Sequence, residues 1–94
     1  MLIVELRFGP EPERLAARPA HRVTLTRLHG EGRLLAAGPY ADDSGALLIF
    51  PVDRPELDRI MADDPYYRTP GVRVVDVREW TPLEFQLTRR LPGP

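Results

Sequence analysis

The sequence contains no cysteine and no lysine. The first absence excludes disulfides, thiolate nucleophiles and thiolate metal sites, and is compatible with a reducing compartment. The second excludes lysine Schiff-base chemistry and leaves arginine, planar and permanently charged, to supply all 13 basic side chains. A substrate carboxylate or phosphate would therefore be held by arginine. Charge of either sign is not in excess: the formal net charge is −1 and the pI about 6.1. Neither nucleic acid nor a membrane surface is expected as a partner. No apolar run approaches the ~20 residues that span a bilayer. The apolar segment from Met1 to Phe8 is interrupted by Glu5 and Arg7 and lacks a basic leader or small-residue cleavage site, so a cytoplasmic location is expected.

What is present suits one folded domain. The chain has 94 residues, 43% of them hydrophobic and 29% charged, too short for two ordinary domains but long enough for one modest core. From Leu2 to Phe8, Leu2, Val4, Leu6 and Phe8 alternate with Ile3, Glu5 and Arg7, the period of a strand. Gly9, Pro10 and Pro12 break it. From about Glu13 to Glu31, Leu, Ala and Arg recur with apolar residues at helical spacing; Pro19 implies that this helix begins there, or is kinked there after an opening turn from Glu13. Gly30 and Gly32 supply the stop. Arg33–Pro39 and Ala46–Val52 read as a hairpin around the polar loop Tyr40–Gly45. Asp53 and Glu56 have the spacing of a capping box, so a second helix starts there, with Leu57, Ile60 and Met61 on its apolar face, and ends before Pro65. Val72–Trp80 is β-branched and reads as a last strand.

The order βαββαβ predicts an α+β domain of ferredoxin-like topology over residues 1–80, with an antiparallel sheet and both helices on one face. Residues 81–94 form a C-terminal extension, in which Leu83, Phe85 and Leu87 suggest an edge strand before a frayed tail. A sheet covered on one side should alternate, yet Ala46, Leu47, Leu48, Ile49 and Phe50 are apolar on both faces. The second face is expected to pack on the sheet of a second subunit, giving a homodimer; the alternative cover is the C-terminal tail.

The segment Arg18–Pro39 carries a helix histidine, His21, a helix ending in Gly30 and a strand closing in Ala37-Gly38-Pro39. Asp42 follows that strand, and Asp64-Pro65-Tyr66 follows the second helix. This pattern, over roughly residues 2–80, resembles the YciI-like (YCII-related) family. The resemblance implies a dimeric α+β barrel of ferredoxin-like units with a pocket containing a histidine and an aspartate, which map to His21 and Asp64. It implies enzymes whose substrates are mostly unknown. Pro19 and the tail after Trp80 depart from the family pattern.

His21 stands four residues before Leu25 and seven before Leu28, on the helix face those leucines turn inward. It is either a core histidine satisfied by a backbone carbonyl, or a base whose tautomer is set by a carboxylate such as Asp64. Asp64 before Pro65 also suits a turn whose side chain bonds local amides. Asp42 and Asp43 read first as hairpin-loop residues, either of which could reach a pocket beside the loop. Gly38 and Pro39 end a strand where substrate could approach the backbone, and Tyr66 and Tyr67 either line a pocket or simply pack. His29 reads as a surface residue. His21 and His29 are eight apart, which does not bring two ligands together on one helix face, and no metal set or phosphate loop is recognisable. The expected activity is proton transfer of the isomerisation or elimination kind on a small organic molecule. His21 and Asp64 are the catalytic candidates, Gly38, Pro39, Asp42 and Tyr66 the substrate-binding ones, and no cofactor is required. A non-catalytic ligand-binding or regulatory dimer is the alternative, since fold alone does not separate the two.

Overall fold

A computed structural model describes residues 1–83. The chain runs through β1 (Leu2–Phe8), α1 (Glu13–Gly30), β2 (Ala36–Pro39), β3 (Gly45–Phe50), α2 (Arg54–Asp63), a single 3₁₀ turn (Pro65–Arg68) and β4 (Val72–Glu79). The strands form a four-stranded sheet in the order β2-β3-β1-β4, with every neighbouring pair antiparallel. Each helix therefore connects strands that have one other strand between them, the ferredoxin-like arrangement read from the element order.

The alternation along β1 decides which face is covered. Leu2, Val4 and Leu6 are buried while Ile3 and Glu5 are half-buried and Arg7 is exposed. Leu48 and Phe50 of β3 continue the inner face beside them. Leu28 of α1 and Leu57 and Ile60 of α2 close over that layer, so both helices lie on it. Each fully buried aliphatic or aromatic side chain here stabilises the fold by roughly 1.5–3 kcal/mol relative to exposure. On the other face, Ile3, Leu47 and Ile49 are only half-buried. In the pairing of β1 with β4 the register shifts between Glu5 and Leu6, which leaves Val75 as an extra, exposed residue of β4, a bulge.

The helix takes the earlier of the two starts read for it. α1 begins at Glu13, not at Pro19, and runs through the proline for 18 residues. Pro19 cannot donate to the Leu15 carbonyl, but both residues are exposed, where water is available to that carbonyl. The capping box is half formed. Asp53 Oδ1 accepts from the Glu56 amide at 3.0 Å, whereas the Glu56 carboxylate turns away to accept from Arg33 Nε at 2.6 Å. The charge-assisted bond outcompetes a bond to a neutral amide. The first hairpin strand is shorter than expected, starting at Ala36 rather than Arg33.

β1 and β3 approach closely at Gly45, where a Cβ would run into the Leu6 carbonyl. The β2–β3 turn follows from this contact: Phe8 donates its amide to the Ser44 carbonyl, and Asp43 adopts a left-handed φ of 58°. Asp tolerates that region better than most side chains. The expected edge strand around Leu83, Phe85 and Leu87 falls largely outside the described residues. No helix among the described residues is long and apolar enough to cross a membrane.

Candidate active site

Between α1 and the β2–β3 end of the sheet lies a cavity of about 340 Å³. His21 enters it from α1 and is 6% exposed. Its Nδ1 is 2.6 Å from Asp64 Oδ2, and Asp64 is itself 5% exposed. The position of Asp64 follows from local chemistry. α2 stops ahead of Pro65, and Asp64, extended at φ −111°, caps the 3₁₀ turn by accepting from the Tyr66 amide with Oδ1 at 3.0 Å. One oxygen thus makes the turn and the other meets the histidine.

Tyr66 stacks on His21, the rings 3.9 Å apart between centroids and 8° from parallel. Tyr67 meets the same imidazole edge-on at 5.5 Å. With Asp64 accepting from Nδ1–H, the neutral ring presents a lone pair at Nε2, which no hydrogen bond engages among the described residues. Burial lowers the imidazole below its ordinary value, against the opposing hydrogen bond and charge of Asp64. Such lowering favours the uncharged imidazole. Burial pushes the Tyr66 phenol up, and the nearby Arg14 cation partly offsets this.

Of the other residues expected here, Gly38, Pro39 and Tyr66 line the cavity. Asp42 does not. Its Oδ1 accepts from the Ser44 amide at 3.0 Å within the hairpin turn, and the next residue, Asp43, reaches the cavity instead. The left-handed turn at Asp43 sends consecutive side chains in different directions. Tyr67 packs in the core with no partner for its hydroxyl among the described residues. His29 keeps a surface position, and its Nδ1 lies 2.9 Å from the Leu34 carbonyl.

Arg14, Arg18 and Arg22 also line the cavity, and none of them stood out in the sequence. The signal was there: Arg14, Arg18, His21, Leu25 and Leu28 form one stripe at helical spacing. A helix beginning at Pro19 would leave the first two outside it. Among the described residues no group of three or more Asp, Glu or His is gathered in the manner of a metal site.

The YCII-related domain model matches residues 1–81. The chain belongs to that family. A search of curated proteins returned no match. Among solved structures, 5-chloro-2-hydroxyhydroquinone dehydrochlorinase from Burkholderia phenoliruptrix AC1100, in complex with 2,5-dihydroxybenzoquinone, is similar at a TM-score of 0.62 and 22% identity. The match covers 86% of this chain and 94% of that one. At this identity the likeness shows a shared fold.

Proposed function

We propose that this YCII-related chain is a small-molecule enzyme of the lyase or isomerase type, in which His21 and Asp64 move a proton on a compact hydroxylated or carboxylated substrate. The observation that carries the reading is the buried contact between His21 Nδ1 and Asp64 Oδ2 at the wall of a cavity. Nε2 takes a proton from a C–H or O–H of the substrate, and Asp64 stabilises the imidazolium that forms. The proton then returns to a different substrate atom, which is isomerisation, or stays while a leaving group departs with the bonding electrons, which is elimination. Dehydrochlorination, the activity of the structural relative, is of the second kind. Gly38, Pro39 and Tyr66 form walls against which the substrate rests.

The working unit in this reading is a homodimer joined through the sheet faces that carry Ile3, Leu47 and Ile49. These residues are apolar, only half-buried and on the face opposite the helices. The activity is tested by screening hydroxylated and carboxylated organic compounds, chlorinated hydroquinones among them, for turnover that His21→Ala abolishes without loss of fold. Turnover that survives His21→Ala would sink the mechanism. Binding without turnover across the screen would replace the enzyme by a ligand-binding module.

A further inference from the structure

Arg14 is 8% exposed, and its Nε and Nη1 are buried without a hydrogen-bond partner among the described residues. The guanidinium lies on Phe8, its central carbon 4.3 Å from the ring centroid. Its one ion pair among the described residues is the 3.1 Å contact of Nη2 with Asp43 Oδ2, and that carboxylate is 49% exposed in its side chain. A buried cation left with part of its donor capacity unused is unfavourable for the empty fold, since the desolvation of those N–H groups is not repaid. Such a group is accounted for when a ligand supplies the missing acceptors.

The charge of the cavity wall points the same way. Arg14, Arg18 and Arg22 line it, and Asp43 is the single acidic residue lining it among the described residues, although the chain as a whole carries −1. Apart from His21 and Tyr66, the remaining wall is apolar, including Leu6, Phe8, Leu25 and Leu48. A ligand suited to this lining has an apolar body and a negative end. Asp43 is placed on Arg14 by the backbone: its left-handed φ of 58° and the bond from its amide to the Tyr40 carbonyl aim it back at the helix.

We infer that Arg14 is the anion-binding residue of this cavity, that its ligand is a compact organic anion with an apolar body and one carboxylate or ionised phenol, and that Asp43 is the internal counter-ion with which this anion competes. The inference rests on the proton-transfer reading for the identity of the cavity as the working site, but anion binding is measured without turnover.

The test is isothermal titration calorimetry with benzoate as the anionic probe and benzyl alcohol as its neutral counterpart, at low ionic strength. The full-length protein binds benzoate saturably and benzyl alcohol about tenfold or more weakly, the scale of a hydrogen bond to a charged group. Arg14→Gln loses about the same factor for benzoate and leaves benzyl alcohol unchanged. Asp43→Asn, which keeps a residue tolerant of the left-handed turn, tightens benzoate binding severalfold. Equal affinity for the two probes, benzoate binding unaffected by Arg14→Gln, or weaker binding in Asp43→Asn overturns the inference. Should Arg14→Gln not fold, the probe comparison and Asp43→Asn decide. His21→Asn retains benzoate binding; its loss would put the anion on the imidazole and also overturn the assignment. Benzoate binding through Arg14 with no His21-dependent turnover would sink the proton-transfer reading and leave this one, and His21-dependent turnover without benzoate binding would do the reverse.

Discussion

His21 and Tyr66 lie face to face, 3.9 Å apart, and are tied to the same carboxylate: Asp64 Oδ2 meets the His21 ring and Oδ1 accepts from the Tyr66 backbone. One side chain therefore sets the tautomer of the imidazole and the position of the ring packed on it. The imidazole is flanked by Asp64, Tyr66 and Tyr67, and it also lines the cavity. Such confinement is what a base needs if its free nitrogen is to meet substrate in one orientation.

Replacing the carboxylate tests that arrangement. Asp64→Asn keeps the shape and the bond to the Tyr66 amide but no longer fixes the proton on Nδ1. Turnover should fall by about 10²–10⁴-fold, the range of general acid–base contributions, while substrate affinity changes little. Steady-state kinetics checks this, and a fall confined to KM would assign Asp64 to binding instead.

The buried imidazole also predicts how stability depends on pH. Its value in the folded protein is lowered by desolvation below the ordinary 6.5 of the unfolded chain. Between those two values the unfolded state binds more protons, so stability rises with pH through that window and is lost as pH falls through it. Urea midpoints should therefore drop between about pH 7.5 and about pH 5.5, above the range where most carboxylates titrate. His21→Asn should flatten the slope. A wild-type midpoint that is level across this range would contradict a neutral buried ring.

Gly45→Ala probes the close approach of the central strands. By propensity alone alanine improves a strand interior by roughly 0.5–1 kcal/mol. Here the new Cβ meets the Leu6 carbonyl, and backbone on both sides must shift, so a net loss of about 1–3 kcal/mol is expected. Denaturant unfolding reads the sign directly.

The proposed dimer is checked at Ile49, which pairs with Ile3 and Ala36 on the face away from the helices. Sedimentation velocity should show a dimer for the native chain and a folded monomer for Ile49→Arg, because an arginine there would be desolvated without a partner. A native chain that stays monomeric at micromolar concentration would remove the dimer from the reading.

Local chemistry made much of the molecule legible in the sequence. The alternation of Leu2, Val4, Leu6 and Phe8 marks a half-buried strand because side chains in a strand alternate faces. The Asp53 cap and the proline after Asp64 bracket α2 to within a residue, since both act on their immediate neighbours. The element order left few sheet topologies, and His21 could be placed on an inward helix face by spacing alone.

Other features depended on residues far apart in the chain. That His21 finds Asp64 rather than a backbone carbonyl is a contact across 43 residues, which follows only when α1 and the turn after α2 pack together. Arg14 and Arg18 lie on the site's helix face because α1 continues through Pro19, a choice that the tertiary packing of the whole stripe makes against local propensity. Whether Asp42 or Asp43 faces the cavity is decided by one left-handed residue in a turn that the Gly45 contact with β1 locks in place. Composition and periodicity determined the elements of this protein; its charge-lined cavity was decided by packing, because burial and the pairing of distant side chains exist only in the folded chain.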